Sequence, residues 1–277
     1  MISVVIPTNT ADGLLRSIES CSLKHISQVF VISNNCESET LTQISAVATR
    51  FKKVRHEHLI QGGSNRARNL GLAKCQTKWI IFLDCGDLLL PLRGDDSFSH
   101  LVLSNSEAET FIYDYKESDS VDSCGIREST LIGRDFDLNS LFEKHIQTQS
   151  CTISKDFLIG KKIGWDEELS SSQDFDFYFQ CIKANPSHIY VQEPGYQRII
   201  SALGISSDWK KVSLSQEVVL RKHRAFIYSS VLSSRAAQRL FSVYHLNGRS
   251  KLKTVFCLAN LFGVRNSLRA VVAKFLS

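Results

Sequence analysis

Apolar and polar positions follow two alternating periods along the first part of the chain. Short runs rich in β-branched residues have the period of strands, and they read "ISVVIP", "ISQVFVIS", "KVRHEHL" and "KWIIFLD". The segments between them have helical spacing, and they read "ADGLLRSIESC", "SETLTQISAVATRF" and "SNRARNLGLAKC". This βαβ order predicts an α/β fold with a mostly parallel sheet, and "KWIIFLD", the most apolar run, is predicted at its centre.

Two changes in the pattern predict domain boundaries. Pro91 and the polar "RGDDS" that follows indicate a boundary near residue 92, and a basic helical segment begins near residue 206. We therefore expect three regions, which are 1–92, 93–206 and 207–277.

Composition indicates a globular protein with a large core. The chain has 277 residues, of which 43% are apolar. Its eight cysteines form no C-x-x-C pair, a pattern that favours reduced thiols in a cytosol. The N-terminus "MISVVIPTNT" has no secretory signal, and no apolar run approaches the roughly 18 residues of a membrane span. We expect a cytoplasmic protein.

Charge is distributed unevenly along the chain. The net charge is +5, yet no acidic residue follows Glu217, whereas eleven Lys and Arg do, so the first 217 residues carry −6. An acidic body with a basic tail indicates a polyanionic partner, either an anionic membrane surface or nucleic acid.

Two acids stand directly after the most apolar predicted strand, in "WIIFLDCGDLLLP". Ligands bind at the carboxyl ends of strands in open α/β sheets, where Asp84 and Asp87 would hold a divalent cation against a diphosphate. The alternative is that both acids only cap the next turn. His56 and His58 in "VRHEHL" also alternate at strand spacing, but histidines without a third ligand are more typical of packing or surface positions.

Four stretches, in order, resemble family 2 glycosyltransferases of the GT-A fold over roughly residues 1 to 206. They are "SVVIPTNT", "VFVISNNCESET", "GGSNRARNLGL" leading to "FLDCGDLLLP", and "SSSQDFDFYFQCI". The resemblance implies a Rossmann-like, mixed and mostly parallel sheet flanked by helices, here with a C-terminal helical extension. It also implies inverting transfer of a sugar from a nucleotide-diphosphate donor, with a UDP-sugar favoured, to a hydroxyl of a glycan or lipid-linked glycan in bacterial-type surface polysaccharide synthesis.

The resemblance assigns residues to the donor side of the site. Arg68 matches the family's A-R-N motif, at a helix start where N–H groups and guanidinium donors suit an anionic nucleotide. The implied metal is Mg²⁺ or Mn²⁺, with Asp87 as a ligand and Asp84 as a second ligand or a contact to ribose. The residues expected to bind the donor are Pro7, Thr8, Asn34, Arg68 and Asp84.

The resemblance also implies a general base and an acceptor side. Asp174 matches the family's aspartate base, with Gln173 in place of the usual glutamate, and Asp176 is the alternative base. Both acids could instead only stabilise a helix N-terminus. The segment "ISKDFLIGKKIGWDEEL" is expected to line the acceptor side through Trp165 and Asp166, together with Arg198. Trp165 is a candidate for stacking on a sugar ring, with a core tryptophan as the equal alternative.

Several positions depart from the family's pattern. Asn9 replaces an aromatic residue, Asn34 replaces the acid that contacts uracil, Gly86 replaces the central acid of the metal motif, and Ile200 stands where a metal-binding histidine is common. These changes predict a weakly held cation that needs the donor phosphates to complete its shell. They also leave open a non-catalytic binding or scaffold protein.

The C-terminal segment "SKLKTVFCLANLFGVRNSLRAVVAKFLS" has apolar residues at helical spacing and no acids. The apolar positions are Leu252, Val255, Phe256, Ala259 and Phe262, and the cations are Lys251, Lys253, Arg265, Arg269 and Lys274. We expect an interfacial helix on an anionic membrane, at its cytoplasmic face, with a helix packed on the body as the alternative. Nucleic acid is not expected as a partner, because the tail lacks the aromatic platforms of single-strand binders.

Overall fold

A computed structural model of the chain describes residues 1–118, 127–129, 136–143, 146–200 and 209–275. The chain divides into two compact units. Unit 1 comprises residues 1–130, 147–167 and 186–201, and unit 2 comprises residues 131–146, 168–185 and 202–277. This division differs from the three predicted regions, because strands on both sides of residue 92 belong to one sheet. The predicted boundary at 206 lies outside the described residues.

In the ranges that the structure describes, unit 1 is built on a mixed sheet of nine strands. The strands are β1 (Ile2–Thr8), β2 (Ile26–Asn34), β3 (Val54–Leu59), β4 (Trp79–Phe82), β5 (Leu88–Leu89), β6 (Thr110–Ser118), β7 (Arg127–Ser129), β8 (Cys151–Ser154) and β9 (His188–Ile199). Their order is β3-β2-β1-β4-β8-β6-β9-β5, with β7 paired to β6. The first four strands are parallel, whereas β8 runs antiparallel to both β4 and β6. The strand predicted at the centre, β4, lies there.

Helices flank the sheet and make up the described part of unit 2. They are α1 (Leu14–Ser20), α2 (Ser38–Ala48), α3 (Ser64–Lys74), α4 (Asp96–Ser104), α5 (Leu138–Glu143), α6 (Lys155–Gly160), α7 (Gln173–Ala184), α8 (Trp209–Lys222), α9 (Arg224–Ser229), α10 (Ser234–Leu246) and α11 (Lys251–Phe275). Short 3₁₀ turns cover Pro91–Arg93 and Thr148–Ser150. Helices α5 and α7 to α11 belong to unit 2.

Close packing of α3 on the sheet positions the donor side of the site. Every residue of β1 is buried, which suits a strand covered on both faces. A Cβ atom at Gly71 of α3 would collide with the side chain of Val5 in β1. Only glycine therefore lets α3 approach β1 this closely. The approach carries Arg68, one turn earlier on α3, to the carboxyl ends of the parallel strands.

The basic tail is helical, as the apolar spacing predicts, but it packs by part of its surface only. In α11, Leu258 and Phe262 are buried, and the Phe262 ring meets Tyr244 of α10 at 5.7 Å between ring centroids. Leu252 and Phe256 stay 79% and 70% exposed. The helix is broken at Gly263, whose φ is 84°. None of the helices in the described ranges is long and apolar enough to cross a membrane.

Candidate active site

Asn34 ties together three segments at the carboxyl edge of the sheet. Its side-chain nitrogen donates to the Thr8 carbonyl of β1 at 3.1 Å, and its side-chain oxygen accepts from the Gly63 N–H at 3.1 Å. Gly63 precedes α3. Pro7, Thr8 and Asn34 are all buried, so these three predicted donor residues form the base of the site rather than an exposed surface.

Arg68 and Asp84, two predicted donor-binding residues, form an ion pair. The Arg68 Nη2 atom lies 2.8 Å from Asp84 Oδ1, and the arginine side chain is only 6% exposed. The guanidinium carbon lies 4.4 Å from the centre of the Trp165 ring, and Nη1 donates to Asn65 Oδ1 at 3.1 Å. Stacking and hydrogen bonds together orient the guanidinium group toward Asp84.

Asp87 is a buried carboxylate held by two protein donors. Its Oδ1 atom accepts from the Ile199 N–H at 2.9 Å, and its Oδ2 atom accepts from the side-chain amide of Gln149. Burial and the neighbouring charge of Asp84 raise the pKa of Asp87 to about 7, against the opposing influence of the Ile199 N–H, Arg198 and Gln149. The buried Asp87 and the half-buried Asp84 place two carboxylates at this edge, which is favourable for a cation.

The residues present fit a divalent cation that shares its shell with a bound diphosphate. The described residues contain no group of three or more His, Cys, Asp or Glu side chains able to hold a metal. Mg²⁺, however, is commonly held by one or two carboxylates together with substrate phosphates. Asp84 and Asp87 meet that requirement.

The histidine pair of β3 makes hydrogen-bond contacts within the protein. His56 and His58 contact Ser33 Oγ, at 2.9 and 3.0 Å.

Trp165 packs inside unit 1, so the structure favours the core alternative. It is 3% exposed, and its ring meets Phe82 edge-on at 5.1 Å between centroids. Its backbone N–H donates to Asn69 Oδ1, and its carbonyl accepts from the Asn69 amide. The ring therefore offers no open face for a sugar, and it packs against the Arg68 guanidinium group instead.

The other two predicted acceptor residues also lie in unit 1. Asp166 is half-buried, and its backbone carbonyl accepts a hydrogen bond from the Asn65 side chain. Arg198, on β9, pairs with Glu117 of β6 at 2.9 Å and contributes to the field around Asp87. Arg198 thus stands on the donor side with Asp87, a position that the sequence did not predict.

The two candidate bases lie in the first turn of α7, in unit 2. Asp176 is fully buried and accepts hydrogen bonds from His223 at 2.8 Å, Lys222 at 2.9 Å and Gln180 at 2.8 Å. Asp174 is half-buried, and its Oδ1 atom lies 2.9 Å from the Phe175 N–H. Because Asp176 is committed to packing within unit 2, the geometry favours Asp174 as the more accessible carboxylate.

Gln149 and Arg93 belong to the site's framework, and no motif indicated either of them. Arg93 is fully buried and donates to the carbonyls of Gln149 and Cys151 and to Thr152 Oγ1. Its guanidinium carbon lies 4.7 Å from the centre of the Tyr113 ring. The hydrogen bonds named here for Arg93 and Gln149 join residues more than 50 positions apart, so local patterns carry no signal for them.

Comparisons with known proteins show similarity to one family of enzymes. Residues 3–92 match glycosyl transferase family 2. An uncharacterized glycosyltransferase of Rickettsia bellii is 28% identical over 170 residues, 61% of this chain and 24% of that protein. The uncharacterized glycosyltransferase MJ1057 of Methanocaldococcus jannaschii is 24% identical over 269 residues, 93% of this chain and 82% of that protein. This chain thus spans about a quarter of the Rickettsia relative.

Solved structures show the same fold. TarS 1–349 of S. aureus, in complex with UDP-GlcNAc, aligns over 100% of this chain and 92% of its own, with a TM-score of 0.66 and 14% identity. The mannosyltransferase PcManGT of Pyrobaculum calidifontis, in complex with GDP-Man and Mn²⁺, covers 99% of this chain and 79% of its own, with a TM-score of 0.57 and 13% identity. The predicted resemblance is confirmed: the chain has the GT-A fold and carries the family 2 glycosyltransferase sequence in its N-terminal third.

The burial of Asp176 predicts a pH-dependent stability. Burial by itself would raise the pKa of Asp176, but hydrogen bonds from His223 and Lys222 outweigh it and hold this pKa below the ordinary value of 3.8. The folded state therefore gains stability from the ionised carboxylate above about pH 4 and loses it as the pH falls further. Asp176→Asn should lower the free energy of unfolding by about 2 kcal/mol at pH 7, since an amide offers one acceptor oxygen where the carboxylate accepts from His223, Lys222 and Gln180.

Urea unfolding at pH 7, 5, 4 and 3 measures this effect. The difference between wild type and Asp176→Asn should shrink toward pH 3, whereas the exposed Asp156→Asn control should differ little from wild type at any pH. A difference that does not change between pH 7 and 3 would contradict the assignment of a charged Asp176.

Proposed function

We propose that this protein is an inverting, metal-dependent glycosyltransferase. It transfers a sugar from a nucleotide-diphosphate donor, with UDP-sugars favoured, to a hydroxyl of a glycan or lipid-linked glycan. The observation that carries this proposal is the meeting of Arg68, Asp84, Asp87 and Arg198 at the carboxyl ends of strands in a GT-A sheet. The neighbour TarS binds UDP-GlcNAc and UDP, which supports a nucleotide-sugar as the donor class.

Each proposed role follows from the charge and exposure of the side chain. Arg68 and Arg198 bring fixed positive charge to the donor's phosphates, and Asp84 and Asp87 would hold Mg²⁺ or Mn²⁺. Such an ion, when bound, neutralises charge on a diphosphate leaving group. The neighbour PcManGT is solved with Mn²⁺.

Asp174 is the proposed general base. It takes the proton of the acceptor hydroxyl while that oxygen bonds to the anomeric carbon and the bond to the diphosphate breaks. One displacement inverts the anomeric configuration, and the nucleoside diphosphate leaves with the electron pair of the broken bond. Gln173, in place of the usual glutamate, adds no second negative charge beside Asp174.

An anionic membrane surface at its cytoplasmic side is the proposed location, with a lipid-linked acceptor and a role in surface polysaccharide synthesis. The part of α11 that includes Leu252 and Phe256 combines exposed apolar side chains with the exposed cations Lys251 and Lys253. Apolar groups at the headgroup boundary and cations beside anionic lipid favour interfacial binding. Of the predicted apolar positions, Phe262 is excluded from this role because it is buried in unit 2.

Hydrolysis of nucleotide-sugars without an acceptor tests the enzymatic proposal. UDP-, GDP-, dTDP- and CMP-sugars are incubated with the full chain and Mn²⁺, and the released nucleotide is measured. We expect release from one nucleotide class, with UDP-sugars first, and a strong loss of activity in excess EDTA. Binding of a nucleotide-sugar with no turnover under any condition would instead favour a non-catalytic binding protein.

Asp174→Asn tests the base. The variant should bind the donor as tightly as wild type, because Asp174 is assigned to the acceptor hydroxyl, while transfer falls by roughly two to four orders of magnitude. Asp156→Asn removes an equivalent carboxylate at the start of α6, exposed in unit 1, and should leave transfer unchanged. Transfer near the wild-type rate in Asp174→Asn would reject this assignment.

Leu252→Ser combined with Phe256→Ser tests the membrane surface in liposome flotation. The double variant should bind anionic vesicles at least about tenfold more weakly, because two large apolar side chains no longer enter the interface. Leu103→Ser, on α4 and also 78% exposed, is the control and should float like wild type. If the intact wild-type chain ignores anionic vesicles at low salt, the tail serves only packing.

A further inference from the structure

We propose that the side-chain oxygen of Gln149 is a third ligand for the divalent cation of Asp84 and Asp87. The inference rests on the proposed function, because it assumes that this edge of the sheet binds a cation with a nucleotide diphosphate. It assigns a site residue that neither the sequence motifs nor the comparisons indicate. It also supplies an oxygen ligand where Gly86 and Ile200 cannot.

The first observation is a buried acceptor without a partner. Gln149 is 2% exposed, and its amide nitrogen donates to Asp87 Oδ2. Its oxygen, Oε1, is buried and receives no hydrogen bond from any residue that the structure describes. An unsatisfied buried carbonyl is costly and rare in folded proteins, so the orientation described leaves the acceptor end of this amide unused.

The second observation is the chemistry on either side of the amide. A glutamine amide has a donor end and an acceptor end of similar shape, and rotation about its last side-chain bond exchanges them. In the orientation described, the nitrogen end faces the Asp87 carboxylate. After the exchange, Oε1 faces that carboxylate, and two oxygens so placed repel each other unless a cation lies between them. Glutamine carbonyls and carboxylates are both ordinary ligands for hard divalent cations.

The third observation is that the main chain of Gln149 is held in place. Arg93 is fully buried and donates to the Gln149 and Cys151 carbonyls, and its Nη2 atom lies 2.9 Å from Thr152 Oγ1. Tyr113 covers the guanidinium group. With its backbone held, Gln149 changes its ligand only by rotating its amide. It therefore donates to Asp87 without metal and coordinates the cation with metal.

Two variants of Gln149 separate a ligand from a packing partner. Gln149→Leu keeps the size of the side chain but removes its oxygen, whereas Gln149→Glu keeps an oxygen ligand and adds charge. The buried Gln197 is the matched control, because its amide donates to Ser118 Oγ at 2.8 Å in the same sheet and is assigned no role at the metal. Gln197→Leu should behave like wild type in metal binding.

Mn²⁺ binding to the full chain is measured by calorimetry and by the electron paramagnetic resonance signal of free Mn²⁺, with saturating UDP and separately with GDP. Gln149→Leu should weaken Mn²⁺ binding by at least about tenfold, while UDP binding in EDTA stays unchanged. Gln149→Glu should bind Mn²⁺ as tightly as wild type or more tightly. Without metal this variant should melt at a lower temperature than wild type, because two buried carboxylates then face each other. Addition of Mn²⁺ with UDP should remove this difference in melting temperature.

Each contrary result overturns the inference. Wild-type Mn²⁺ affinity in Gln149→Leu would make Gln149 a hydrogen-bond partner only. Equal weakening in Gln149→Leu and Gln149→Glu, or lost UDP binding in both, would indicate a packing role. Absence of Mn²⁺ binding to wild type with either nucleotide would remove the metal site. Donor hydrolysis that persists in EDTA would then leave the glycosyltransferase proposal standing without its metal.

Discussion

The buried carboxylate of Asp87 is the interaction on which the centre of unit 1 depends. A carboxylate 6% exposed is costly to bury, and here the Ile199 N–H and the Gln149 amide offset that cost. These donors come from segments 62 and 112 residues away along the chain. One side chain thus joins the segment between β4 and β5 to the 3₁₀ turn before β8 and to the end of β9.

Arg68 is likewise a charged side chain that is nearly buried, and its burial is also offset by partners. Its guanidinium group is nearly buried, yet the carboxylate of Asp84, the ring of Trp165 and the side chain of Asn65 each satisfy one part of it. Trp165 was a candidate for stacking on a sugar, with a core tryptophan as the equal alternative, and the structure packs it against the Arg68 guanidinium group. A donor phosphate entering here would meet a guanidinium group whose orientation is already set, so little rotamer entropy is lost on binding.

Unit 2 uses buried charge to fix one helix rather than to bind a ligand. Asp176 is satisfied by His223, Lys222 and Gln180, and the His223 ring stacks on Phe179 with 4.8 Å between centroids. This network anchors the first turn of α7, which carries Asp174. The basic tail is also explained in part: Glu217 pairs with Arg221 and Arg249, so some of the cations stabilise unit 2. Lys251 and Lys253 remain exposed beside Leu252 and Phe256.

Local periodicity by itself determined the βαβ order, the central place of β4 and the helical tail, because these features depend on neighbours along the chain. Motif position led to Arg68, Asp84 and Asp87, since their spacing from a strand end or helix start is short and regular. Only the tertiary structure decided the burial of Trp165, the burial of Asp176 against the partial exposure of Asp174, the place of Arg198 beside Asp87, and the contacts of Gln149 and Arg93. These depend on contacts between segments dozens of residues apart, and a pattern of apolar and polar positions carries no record of which distant side chain will complete a buried hydrogen bond.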